Sequence, residues 1–166
     1  MNKILFQLLK FFSAILPATV TRRLLPYNTQ ILQESFRPIR QRIDEYSPRF
    51  YENFWKDYPE TRDLFGKNMT KKELDARINQ FMLFIVENAD KPHVYLNFVQ
   101  HLAGRHKGYG IFSHQFEFVG ETNIKTLKEM LGDSFSAADE KEWRVAFSFL
   151  TRLMKLAETF KVKEKI

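Results

Sequence analysis

The chain has 166 residues, 44% of them hydrophobic, with six glycines and six prolines, a composition that suits one compact domain and leaves no room for a second catalytic one. It contains no cysteine, so disulfides, zinc–thiolate sites, iron–sulfur clusters and cysteine nucleophiles are excluded together. A formal charge of +6 favours anionic partners, but Lys and Arg are interleaved with acids and no aromatic-basic RNA-binding motif occurs, so nucleic acid is not an expected partner.

Residues 1–28 open with Ile4, Leu5, Leu8, Leu9, Phe12, Ile15 and Leu16 at helical spacing, with Lys3, Gln7 and Lys10 on the other flank and Pro17 as a stop. This is the pattern of an amphipathic helix. The apolar run is shorter than the roughly 20 residues a membrane span needs, and Lys10 interrupts it where a signal peptide would be uncharged. With Arg22 and Arg23 close behind, the segment suits peripheral contact with an anionic membrane surface or a partner, or folding back on the body. The expected location is the cytoplasm, with contact at the membrane surface.

From residue 29 to 166 the periodicity is helical and no strand pattern competes with it, which predicts an all-α domain. Leu32, Phe36, Ile39, Ile43 and Tyr46 mark a first helix carrying Pro38, and Phe50, Phe54 and Trp55 a second that ends before Pro59. A long helix follows from about Thr70 to Asn88, with Leu74, Ile78, Phe81 or Met82, and Ile85 on one face. Pro92 opens the next, where Val94, Phe98, Leu102 and His106 share a face and Gly108 and Gly110 bring the helix to an end. Two last helices are expected over Gln115 to Leu131 and Ala137 to about Phe160, the final one opened by a capping-box variant, Ser136-Ala137-Ala138-Asp139.

One histidine on an apolar helix face is weak on its own, but its setting is specific. Phe50-Tyr51, Tyr58-Pro59-Glu60 with Leu64-Phe65, Gly104-Arg105-His106-Lys107-Gly108-Tyr109-Gly110, Phe118-Val119-Gly120-Glu121, Leu131-Gly132-Asp133, Trp143 and Phe147 follow one another at characteristic distances. In combination they resemble the haem domain of the flavohaemoglobins and the single-domain bacterial globins, over about residues 30–160. The resemblance implies a globin fold, a 3-on-3 helical sandwich, behind the N-terminal extension. It also implies haem b as cofactor, with His106 as the iron ligand and Phe65, Ile78, Leu102 and Phe116 clamping the ring.

The same resemblance assigns roles around the ligand position. A five-coordinate haem iron leaves a sixth position for dioxygen, nitric oxide or carbon monoxide. Tyr51 would overhang it as a hydroxyl donor to a ligand that takes up partial negative charge. The distal position that usually holds glutamine or histidine falls at Leu74, so one usual donor is missing, and Arg77 is the next candidate on that helix. On the proximal side the tyrosine that links the histidine to a glutamate is replaced by Phe116, although Glu158 remains. That break weakens the case for peroxidase-like or fast dioxygenase chemistry.

Reversible binding of a diatomic gas is therefore the leading expectation, with nitric oxide dioxygenation as an added activity that would draw electrons from a separate reductase. Two other readings stand beside it: a sensor or membrane-associated interaction module, and a haem-free structural globin in which Leu74 and Ile78 fill the ring's space. His93, His101 and His114 are expected to face solvent or cap helices. No phosphate-cradling loop, HExxH or nucleophile elbow is present, and the oligomeric state is left open.

Overall fold

The computed structural model describes residues 25–65, 69–108, 111 and 115–157, with isolated positions 11, 20 and 23 before them. The expected amphipathic helix of the extension lies almost wholly outside the described residues, as do Tyr109, Gly110, His114 and Glu158.

Helix α1 spans Thr29–Arg40 and is started by Asn28, whose side chain accepts a hydrogen bond from the Gln30 N–H. Its buried stripe is Leu32, Phe36 and Ile39. Contrary to the reading of one helix through Tyr46, α1 ends at Arg40, and a 3₁₀ turn over Ile43–Glu45 leads into α2, Tyr46–Asp57. Pro38 removes one backbone donor, and Arg42 adopts φ −134°, outside the helical region. The 3₁₀ turn keeps a step of three between Ile43 and Tyr46, which explains why the apolar pattern runs straight through the break.

A second 3₁₀ segment, Pro59–Phe65, follows α2. Helix α3, Lys71–Glu87, begins with a complete capping box: the Thr70 hydroxyl accepts from the Glu73 N–H while the Glu73 carboxylate accepts from the Thr70 N–H. Helix α4 covers Pro92–Gly108 and α5 covers Gln115–Leu131. Gly132, at φ +54°, closes α5 in the left-handed conformation that glycine adopts without strain. A short 3₁₀ turn, Gly132–Ser134, precedes α6, Ala137–Ala157, which opens as expected with reciprocal bonds between Ser136 and Asp139.

Helices α2, α5 and α6 form one layer, α5 lying between the other two. Across them lie α1, α3 and α4, with α2 on α3, α1 on α5 and α6, and α4 on α6 as contacts between the layers. Within the second layer α1 packs on α3, and Phe98 of α4 stacks against Phe84 of α3 with ring centroids 4.2 Å apart. No strand occurs among the described residues. Trp143 fixes the far end: fully buried, it packs on Phe36 and donates its indole N–H to Ser35 Oγ at 2.9 Å, joining α6 to α1. Tyr46 does the same between α2 and α5, donating to Asn123 Oδ1 at 2.5 Å.

The folded body includes Tyr27 and Asn28, which the sequence reading assigned to the extension. Tyr27 is buried, meets Phe149 edge-on at 6.1 Å and donates its hydroxyl to the Ala89 carbonyl, and the Asn28 N–H donates to the Glu142 carboxylate.

Candidate functional site

Between the two layers lies a cavity of about 590 Å³, within the range of sites that enclose a small-molecule cofactor. Its walls come from α2, the Pro59–Phe65 turn, α3, α4, α5 and α6, so every helix except α1 contributes. The lining is mainly aromatic and aliphatic: Phe50 and Phe54 from α2, Phe65 from the turn, Phe81 from α3, Phe98 from α4 and Phe116 from α5. Such a surface suits a flat apolar molecule.

Helix α4 divides its residues in a way that creates the site. Tyr95, Leu96, Val99 and Ala103 are buried in the core, while Phe98, Leu102 and His106, each four residues on from the last, are half-buried and line the cavity. The Nδ1 of His106 lies 2.8 Å from the Leu102 carbonyl oxygen, one turn back on the same helix. A carbonyl only accepts, so Nδ1 carries the hydrogen and Nε2 keeps the lone pair. Burial holds the ring below its ordinary pKa; the hydrogen bond to Leu102 acts in the opposite direction, and the charges of Arg105 and Arg77 lower it further. The outcome is a neutral imidazole with its tautomer fixed, the form that ligates a metal. Phe116 meets this ring edge-on at 5.6 Å and an interplanar angle of 79°, a contact that fixes its plane without offering a hydrogen bond.

Tyr51 lines the cavity from α2 and is held on three sides, stacked on Trp55 at 4.9 Å and edge-on to Phe50 at 5.3 Å and Phe65 at 5.8 Å. Burial, reinforced by Asp75 and opposed by Arg77, raises its pKa well above the ordinary value, so the hydroxyl keeps its proton. That proton is donated to the backbone carbonyl of Leu74 at 3.1 Å, which ties α2 to α3.

Of the residues singled out by sequence, His106, Tyr51, Phe65, Arg77, Ile78, Leu102 and Phe116 converge on this one cavity. Leu74 does not line it. Its side chain is half-buried against the core, and only its carbonyl reaches Tyr51. His101 is exposed and His93 half-buried, and neither lines the cavity. Sequence reasoning named Phe147 only as part of the family pattern and missed that Leu150, Thr151 and Met154 continue its face of α6 along the cavity, at steps of three and four that were legible as one helix face. It also missed the use of Gly120, where an added Cβ would lie 3.3 Å from the Phe147 Cβ, so glycine lets α5 and α6 approach beside the cavity.

A globin family model matches residues 48–154, and the chain belongs to the globin family. It is 21% identical over 122 residues to a flavohemoprotein of Bacillus subtilis, a match that covers 73% of this chain but only 31% of that protein's length. It is 25% identical over 134 residues to a leghemoglobin of Psophocarpus tetragonolobus, covering 76% of this chain and 92% of the relative. The solved structure of a bacterial globin from Campylobacter jejuni superposes with a TM-score of 0.68 at 21% identity, over 78% of this chain and 93% of that one, and shares the fold.

Proposed function

We propose that the protein is a haem-binding globin that holds haem b in the central cavity on His106 and reversibly binds a diatomic gas, dioxygen first among them. The observation that carries this reading is the His106 ring, its Nδ1–H tied to the Leu102 carbonyl and its face lining an apolar cavity of about 590 Å³. Bound there, the haem iron supplies one open coordination position for dioxygen, nitric oxide or carbon monoxide. Phe65, Ile78, Phe98 and Leu102 hold the ring by burial and keep water out, which strengthens any hydrogen bond made inside. Tyr51 is the polar group of α2 at the cavity, and it must leave the Leu74 carbonyl to donate to a ligand.

The proximal environment favours reversible binding over peroxide chemistry. The His106 N–H is given to an uncharged backbone carbonyl, and Phe116 stands where a tyrosine would pass charge from a carboxylate, so none of the described residues drives the ring toward imidazolate. Nitric oxide dioxygenation is a second activity open to the site, with electrons supplied by a separate reductase. The open cavity argues against a haem-free structural role, because Leu74, one of the two residues that would fill it, does not line it. Among the described residues no helix is long and apolar enough to cross a membrane. From the sequence of residues 1–28 we further propose peripheral attachment to an anionic membrane surface, with the globin body on the cytoplasmic side.

Absorption spectra of the purified protein in ferric, ferrous and carbon monoxide forms test the main reading. We expect a Soret band and a five-coordinate ferrous spectrum. A protein that stays colourless after haem is added sinks it.

A further inference from the structure

We propose that Arg62 is a positioning residue for the ligand site: through Trp55 it holds the Tyr51 ring, and with it the Tyr51 hydroxyl, at the cavity. This rests on the haem reading above.

Tyr51 and Trp55 lie one turn apart on α2 and share a face, which stacks their rings with centroids 4.9 Å apart. The turn that walls the cavity grips this pair at two points. In a 3₁₀ segment side chains three residues apart eclipse, so Arg62 and Phe65 of Pro59–Phe65 face the same way. Phe65 meets Tyr51 edge-on at 5.8 Å and Trp55 at 6.0 Å, and the Arg62 guanidinium carbon stands 5.2 Å from the centre of the Trp55 ring. At that distance the cation is drawn to the negative face of the indole, the best of the aromatic partners.

Each side of this contact depends on the other. Arg40 and Arg144 meet carboxylates, whereas the exposed Arg62 has no ion pair or hydrogen bond among the described residues and rests on Trp55 instead. The indole N–H of Trp55 is buried without a hydrogen-bond partner, while that of Trp143 is tied to Ser35 at 2.9 Å. Ring contacts alone therefore set the angle of Trp55, and the charge of Arg62 supplies one of them. Tyr51 carries its hydroxyl at the far end of a rigid ring, so a rotation of that ring moves the hydroxyl relative to the Leu74 carbonyl, 3.1 Å away, and to a ligand in the cavity. Neither Arg62 nor Trp55 lines the cavity, so the coupling runs through Tyr51 and not by contact with the ligand.

The test is dioxygen and carbon monoxide release from the holoprotein, with the infrared C–O stretch of the carbon monoxide complex reporting the field over the ligand. The proteins are the wild type, Arg62→Met, Arg62→Lys, Tyr51→Phe and the double variant Arg62→Met with Tyr51→Phe. Methionine keeps most of the apolar stem and removes the charge. We expect dioxygen to leave Arg62→Met about two- to fivefold faster, the scale of an exposed cation–π contact, with carbon monoxide release unchanged. The C–O band should shift toward its position in Tyr51→Phe. Arg62→Lys, which keeps a cation, should recover most of the wild-type rate and band. In the double variant the arginine change should add nothing to Tyr51→Phe, because the hydroxyl through which it acts is gone. An Arg62→Met protein with wild-type dioxygen release and C–O band overturns the proposal. So does an acceleration of the same size in the Tyr51→Phe background, or one shared equally by both gases, which would mean a general loosening of the fold. In each case the haem site stands. A wild-type protein that takes up no haem overturns the haem reading, and this proposal with it.

Discussion

Replacing Tyr51 by phenylalanine separates two roles that the structure superimposes on one side chain. The ring is held by Trp55, Phe50 and Phe65 at 4.9, 5.3 and 5.8 Å, and all three contacts survive the substitution. What is lost is the hydroxyl and its 3.1 Å bond to the Leu74 carbonyl, a neutral bond worth about 0.5–1.5 kcal/mol. A lower melting temperature by a few degrees is the expected cost to the fold. For ligand release the same bond must be set against the gain. Donation to a partly charged ligand contributes about 1.5–3 kcal/mol, but the hydroxyl gives up the Leu74 carbonyl to make it, which leaves about 1–2 kcal/mol. Dioxygen should therefore leave the Tyr51→Phe protein about 5–30-fold faster, less than a hydroxyl with no prior partner would give. Carbon monoxide, which takes up less charge, should change little. Stopped-flow release rates for both gases, with thermal melts of the same proteins, decide between the roles. A melting temperature that falls while both gases leave at wild-type rates would mean that Tyr51 serves only to join α2 to α3.

His106→Ala should abolish tight haem binding and the five-coordinate ferrous spectrum, whereas His93→Ala and His101→Ala, outside the cavity, should retain both; a wild-type spectrum from His106→Ala would refute the proximal assignment. The apoprotein should lose stability as pH falls below about 6.5, because the unfolded histidine takes up a proton that the buried native ring, with its lowered pKa, resists until the pH falls through that folded value. Melting curves across this window should flatten in His106→Leu, and an unchanged slope would assign the effect to other groups. Gly120→Ala should be close to neutral, since about 1 kcal/mol of helix propensity offsets the 3.3 Å approach to Phe147, while Gly120→Val should destabilise by about 1–3 kcal/mol in chemical denaturation.

The helices were legible where chemistry punctuates them. Thr70 with Glu73, Ser136 with Asp139, Pro92 and Gly108 each act within a single turn, so the local sequence alone decides the outcome. The break between α1 and α2 was hidden for a physical reason. A three-residue 3₁₀ turn advances the chain by the same step that a helix uses to return to its buried face, so hydrophobic periodicity carries no trace of it. The inclusion of Tyr27 in the core was hidden for a different reason, because its partners, Ala89 in the turn between α3 and α4 and Phe149 on α6, are distant in sequence.

The site was legible to the extent that one helix specifies it. Phe98, Leu102 and His106 share a face of α4 by spacing alone, and the bond that fixes the imidazole runs between two of them. Leu74 shows where such reasoning stops. Counting along α3 places a residue on a turn but not the rotation of that turn about the helix axis, which is set by packing on α2 and α1. The structure rotates Arg77 and Ile78 toward the cavity and leaves Leu74 to contribute its carbonyl, an atom that every residue type offers and no sequence pattern can mark. The polarity facing a ligand thus depends on whether Tyr51 keeps its bond to that carbonyl or gives it up, a competition between two acceptors that only the fold brings within reach of one hydroxyl.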